Sequence, residues 1–205
     1  DDYTFCIITS PVGPYYSGSV KVKIEQEFTR ATGGGIGYTK AAGNYGGAFY
    51  PTSQAIKEGY NQVIWTDHKE HKYIEESGTM NLMLLIGDTF VTPPLTDRIL
   101  AGVTRRSIIT LIKEQGWNIE ERPVTVDEIV EAAGSGALKE AFGMGTAAVV
   151  SQIDTIGHLG TNYSIPTPTD GKAMEIKRLL NDIRLGRTPD IHQWMMDAVI
   201  PATAE

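Results

Sequence analysis

Apolar and polar positions alternate with the two-residue period of extended chain in several short stretches. Residues 3–9, 20–25, 62–66, 73–76, 81–86, 89–92, 118–122 and 147–153 are rich in β-branched, aromatic and aliphatic side chains and are bounded by turn-forming residues, which predicts strands. Apolar residues recur every three to four positions over 45–59, 104–115, 126–133 and 172–185, which predicts helices. Strands and helices alternate along the chain, so the fold class is α/β, or α+β by some schemes, with a substantial sheet.

Side chains mark several helix ends. Thr125 with Glu128 three residues later forms a capping-box pattern at the start of 126–133. Gly116 and Gly186 follow basic or polar last turns, where a glycine ends a helix. No internal repeat or low-complexity linker divides the chain, and the Ser/Pro/Thr/Gly-rich stretch 161–171 reads as a surface loop within one domain spanning 1–205.

Composition narrows the class of partner. The 205 residues, 41% of them hydrophobic, suffice for a large core, and a formal charge of −7 argues against nucleic acid and anionic membrane surfaces while leaving room for a local phosphate pocket. No stretch approaches the roughly 18 apolar residues of a membrane-spanning helix. Cys6 is the single cysteine, and no Cys/His spacing suits zinc, which fits a cytoplasmic setting and no metal. His68 and His71 lie in a polar stretch between two strand runs and read as a solvated turn. The sequence begins with Asp1-Asp2-Tyr3, without methionine, and enters a strand-like run directly, which reads as part of a longer polypeptide.

Candidate chemistry centres on Lys40. It follows the glycine run Gly33-Gly34-Gly35-Ile36-Gly37 and precedes Ala41-Ala42-Gly43-Asn44-Tyr45, small residues around a long cation, as an amine held for covalent chemistry requires. A solvated loop lysine fits the same segment. Gly102-Val103-Thr104-Arg105 opens a predicted helix, where free N–H groups and the helix dipole favour an anion; an ordinary threonine cap is the commoner reading of the local sequence. Phe142-Gly143-Met144-Gly145-Thr146-Ala147 reads as a glycine turn entering a buried strand, with Thr146 at its mouth. Glu75 and Glu76 alternate across a strand, so one of them faces inward and needs a cationic or protonated partner.

Five strings, in order, resemble one family. Lys40-x-x-Gly43-Asn44-Tyr45-Gly46, Glu76-x-Gly78-Thr79-Met80-Asn81, Leu100-x-Gly102-Val103-Thr104-Arg105, Glu121-Arg122 and Phe142-Gly143-x-Gly145-Thr146-Ala147-Ala148-Val149-Val150 are similar to those of the branched-chain amino acid aminotransferases, pyridoxal 5′-phosphate (PLP) enzymes of fold type IV. The likeness runs from the turn at 11–15 to the helix at 172–185. It implies a pseudo-barrel of mixed strands surrounded by helices, the large cofactor-binding domain of such an enzyme, with the N-terminal small domain outside this sequence.

The same resemblance implies roles. Lys40 forms the Schiff base with PLP and shuttles the proton, the pKa of its amine depressed by the cationic cofactor and a partly desolvated pocket; Glu76 faces the pyridine nitrogen; Tyr45 bonds the ring oxygen; Leu100 packs on the ring. Phosphate sits at Gly102, Val103 and Thr104 with Gly145, Thr146 and Arg30 nearby. Thr79, Thr146 and the Ala147 N–H lie near the substrate carboxylate. The implied reaction is ping-pong transamination of leucine, isoleucine or valine with 2-oxoglutarate, in a homodimer when full length.

Ala148 and Ser151 stand where mammalian members carry a Cys-x-x-Cys pair, so no thiol switch is implied. Without the small domain the chain alone is expected to bind PLP weakly, to turn over little and to self-associate. D-amino acid aminotransferases and aminodeoxychorismate lyases share the lysine and glutamate, and a noncatalytic anion-binding module is the alternative outside the enzymes.

Overall fold

Six strands close a ring in the computed structural model, which describes residues 2–11 and 18–196. They are β1 (Val20–Ile24), β2 (Gln62–Thr66), β3 (Ile74–Ser77), β4 (Met80–Ile86), β7 (Leu138–Gly145) and β8 (Val149–His158), joined in the order β3-β2-β1-β8-β7-β4 with β4 returning to β3. β1 runs parallel to β2 and β8, and the other contacts are antiparallel, so the barrel is mixed. β5 (Thr89–Thr92) and β6 (Asn118–Glu121) extend the sheet from β4, and β9 (Thr161–Ser164) pairs with β8.

The ring closes at its narrowest contact. β3 and β4 share two residue pairs, Glu76 with Asn81 and Ser77 with Met80, around the Gly78–Thr79 turn. The other end of that β4 edge pairs with β5. One strand thus serves three neighbours.

Helices cover the ring. α1 (Gly43–Gly46) and α2 (Phe49–Lys57) lie in the crossover between the parallel strands β1 and β2; α3 (Val103–Glu114) forms the crossover from β5 to β6; α4 (Val126–Ser135) and α5 (Lys172–Arg184) follow. Ile24, Ile64, Ile74, Leu82, Ala141 and Ile153, one from each ring strand, join a single cluster with Ile129 of α4, as the inside of a closed ring does. Met83 and Leu85 point the other way, against Ile108 and Ile112 of α3 and Ile176 of α5. Both faces of β4 are covered, which accounts for its unbroken apolar run from Leu82 to Ile86.

Most predicted elements are present with ends moved by one or two residues, and five expectations change. Residues 3–9 form no strand: Tyr3, Phe5, Ile7 and Ile8 are all strongly exposed, and their alternation finds no strand to pair with among the described residues. The helix expected over 45–59 is broken at Gly47 and Ala48, whose neighbouring glycines weaken it. The glycine string at 142–145 is the end of β7, paired with β4 and β8, and the turn is Thr146-Ala147-Ala148. The surface loop expected over 161–171 begins with β9. Thr125 Oγ1 does accept from Glu128 N at 3.0 Å, but the Glu128 carboxylate pairs with Arg122 rather than closing the capping box. Gly116 and Gly186 follow α3 and α5 with φ of 69° and 65°. The turn expected at 11–15 lies, from residue 12 onward, outside the described residues.

Candidate active site

The chain between β1 and α2 holds Lys40 in a loop tied by its own side chains. Asn44 Nδ2 donates to Ile36 O at 2.9 Å and to Thr39 O at 3.0 Å, and Thr39 Oγ1 donates to Ile36 O at 2.7 Å. Gly37 lies flat against the 97–100 segment, where a β-carbon would come within 2.8 Å of the Arg98 backbone. The lysine is exposed, a difference from the partly desolvated amine expected, and its Nζ makes no hydrogen bond or ion pair among the described residues. Its Nζ lies 6.0 Å from the centroid of the Tyr45 ring.

β3 brings in both carboxylates, and neither is solvated: Glu75 is 3% and Glu76 4% exposed. Glu75 pairs with Arg98. Glu76 Oε2 lies 2.9 Å from Arg30 Nε, and its Oε1 accepts from Leu100 N at 3.0 Å. Burial pushes the Glu76 carboxyl up to about 7, with Glu75 adding to the effect; Arg30, the Leu100 N–H and Lys40 act in the opposite direction without cancelling it. Burial likewise raises Glu75, against the pull of Arg98.

Arg30 is therefore not free for phosphate. Its guanidinium is engaged by Glu76, by Gly37 O at 3.2 Å and by Arg98 O, and it borders a small crevice beside the main cleft rather than the cleft itself.

The first turn of α3 is open. Gly102 is the N-cap, with no side-chain cap, so the N–H groups of Val103, Thr104 and Arg105 have no acceptor in the helix. Thr104 stands in the first turn and does not cap it. The approach to α3 is held by Arg105, buried, which donates to Pro93 O at 3.0 Å and pairs with Glu121 at 2.9 Å. That contact gives the Glu121-Arg122 string a structural place away from the cleft: Arg122 pairs with Glu120 and Glu128. Opposite α3, the Thr146-Ala147-Ala148 turn re-enters β8 through Val149 at φ 60°, a strained setting for a β-branched residue.

These pieces surround one cleft of about 640 Å³. Lys40, Tyr45, Glu76, Thr79 and Leu100 line one end, and Gly102, Val103, Thr104, Gly145, Thr146 and Ala147 line the rest. Every residue that the resemblance gives a cofactor or substrate role lines it except Arg30. Asn81, quoted in a motif but given no role, also borders the cleft, as do Phe49, Met80 and Met144. Asn81 was legible only as a polar residue opening an apolar strand. The cleft can hold a rigid ligand with an electrophilic carbon toward the amine, a basic atom toward a carboxylate and an anion toward the helix. Among the described residues, no group of side chains suits a metal ion and no helix is long and apolar enough to cross a membrane.

Comparison with known proteins defines the class first. A branched-chain aminotransferase from Thermoproteus uzoniensis, solved with norvaline, superposes over 87% of this chain and 56% of its own with a TM-score of 0.74 and 25% identity. One from Thermobaculum terrenum in its PLP form shares the fold, with a TM-score of 0.69 at 23% identity over 83% of this chain and 52% of its own. Residues 2–156 match the family model for amino-transferase class IV, and the chain belongs to that family. Branched-chain-amino-acid transaminase 1 of Bacillus subtilis is 39% identical over 203 residues, covering 95% of this chain and 56% of the relative. The chain spans about half the length of the curated relatives it matches.

Proposed function

We propose that residues 1–205 form the cofactor-binding domain of a PLP-dependent aminotransferase acting on branched-chain L-amino acids with 2-oxoglutarate. The observation that carries the reading is the convergence of an unpaired amine, Lys40, a buried carboxylate, Glu76, and the uncapped first turn of α3 on one cleft. Nothing in that set needs to be displaced to admit a phosphorylated pyridine, so the residues fit PLP.

PLP, when bound, supplies an electron sink for loss of the substrate α-proton. Lys40 would hold the cofactor covalently through Nζ, and its free amine would carry the proton that the transamination moves. Glu76 keeps a proton on the pyridine nitrogen; a cation placed against its carboxyl offsets the burial that now raises it. Tyr45 would donate its hydroxyl to the cofactor's phenolic oxygen, and Leu100 would help exclude water from the ring. Val103 and Thr104 N–H groups, with the Thr104 and Thr146 hydroxyls, bind phosphate. Thr79, Thr146 and the Ala147 N–H orient the substrate carboxylate. Arg30 acts through Glu76, as its positioning partner rather than a phosphate ligand. The remaining length of the relatives corresponds to a second domain that completes the pocket, and the whole protein is proposed to work as a cytoplasmic homodimer.

The test is site-selective capture. A polypeptide of the relatives' full length is incubated with PLP, reduced with borohydride and mapped by mass spectrometry. Lys40 is expected to be pyridoxylated well ahead of the other lysines, and Glu76→Gln is expected to reduce that preference. Equal labelling of Lys40 and the surface lysines would overturn the reading. Leucine-dependent glutamate formation by a polypeptide of the relatives' full length tests the substrates.

A further inference from the structure

The register that closes the ring places one more polar side chain in the cleft. Asn81 stands opposite Glu76 in the β3–β4 pair and is 6% exposed. Its amide nitrogen donates to Glu76 Oε1 at 3.3 Å and to Leu100 O at 2.9 Å. Its oxygen faces Gly102, the N-cap of α3: a β-carbon built there would lie 2.2 Å from Asn81 Oδ1. A single amide therefore touches the carboxylate on β3, the segment leading to α3, and the residue that starts the helix.

We infer that Asn81 is a positioning residue that fixes the Glu76 carboxylate relative to the first turn of α3, keeping the two ends of the cleft at one spacing. The inference rests on the proposed reading of the cleft, because a rigid ligand held at both ends is what requires a constant spacing. The side chain suits the task. Its two N–H groups satisfy a carboxylate and a carbonyl together, which an aspartate could not do without adding a third buried negative charge beside Glu75 and Glu76. Leucine would fill the volume and leave both acceptors short of a donor. The glycine at 102 belongs to the same device, since any side chain there would displace the amide.

The experiment reads Glu76 itself. The carboxyl carbon of Glu76, assigned with Glu76→Gln, is titrated by NMR in the ligand-free chain for the wild type, Asn81→Ala, Asn81→Ser, Gly102→Ala and the Asn81→Ala/Gly102→Ala pair. Arg30, Glu75 and Lys40, the charged groups that act on Glu76, remain in every variant. Loss of a donor to the charged form is expected to raise the midpoint by about half a unit to one unit in Asn81→Ala and Asn81→Ser. Gly102→Ala is expected to move the same resonance through the displaced amide, and that shift is expected to vanish in the Asn81→Ala background. An unmoved midpoint in the folded Asn81 variants, or shifts at 81 and 102 that simply add, overturns the inference. The titration needs no cofactor, so indiscriminate pyridoxylation would count against the proposed function as a separate result.

Discussion

Arg30 and Glu76 form an ion pair that does not neutralise its own cost: Nε and Oε2 are 2.9 Å apart with side chains 10% and 5% exposed, yet the carboxyl is pushed up to about 7. Desolvation outweighs the single guanidinium. The folded state therefore holds a proton that the unfolded chain, with an ordinary carboxyl near 4.5, gives up sooner. This contribution to stability is whole below about 4.5 and is lost as pH rises through about 7, amounting to about 3 kcal/mol. Glu75, also raised, adds with the same sign; Asp67 does not enter this window. Burial pushes Asp67 up, but four backbone N–H groups outweigh it and lower it to about 2, so its contribution disappears only as pH falls below its ordinary range.

Urea unfolding of the ligand-free chain from mildly acidic to mildly alkaline pH is expected to show stability falling across that window. In Glu76→Gln the slope is expected to shrink by the Glu76 share, leaving the part due to Glu75. A slope unchanged by Glu76→Gln would refute the assignment.

Glu140 of β7 caps α5 from a distance in sequence. Its two oxygens accept from Lys172 N at 2.9 Å and Ala173 N at 3.0 Å, and the side chain is 5% exposed. Removing it in Glu140→Ala leaves two buried N–H groups without a partner at a helix N-terminus and is expected to cost about 2 kcal/mol in denaturant unfolding. Glu140→Gln keeps one acceptor and is expected to lose less. Equal losses in the two variants would show that the charge or the second acceptor, and not the shape of the side chain, matters there.

Two glycines near the cleft differ in what opposes a side chain. At Gly143 a β-carbon would meet Met80 Cε at 2.5 Å, the far end of a flexible chain; at Gly37 it would meet Ala31 Cβ at 2.5 Å and the Arg98 backbone at 2.8 Å. Methionine can turn aside and backbone cannot. Gly37→Ala is expected to cost about 3 kcal/mol and Gly143→Ala about 1 kcal/mol, read from denaturation midpoints. Gly37→Ala is also expected to shift the Glu76 titration, because the 97–100 segment carries the N–H that Glu76 accepts.

The order of strands and helices was legible from periodicity because most elements bury a face, and the period records burial. β7 was hidden by its glycines: Gly143 and Gly145 read as a turn, whereas Gly143 is where Met80 crosses the strand. Residues 3–9 show the reverse failure, an alternation that finds no partner strand among the described residues. At the site, Lys40, Glu76 and the 102–104 string were recognisable as members of an ordered set of strings, since each local setting also fits a solvated loop, a surface carboxylate or an ordinary cap. Arg30 was placed at the wrong end, since sequence gives charge but not which of two anions a guanidinium reaches. Asn81 could not be singled out because its three contacts come from β3, from residue 100 and from residue 102, which only the closed ring brings together.

The ring closes through two residue pairs, and the turn between them holds Thr79, with Glu76 and Asn81 on either side. The smallest fastening in the barrel is thus also the floor of the cleft. Competence and foldedness become separable properties: if the fastening opens while α3, α4 and α5 stay wound, far-ultraviolet circular dichroism remains nearly native in a molecule that can no longer present its carboxylate. Shelf life and heat tolerance are accordingly measured at Glu76, by its titration or by amide exchange at 76–81, and not by helix content.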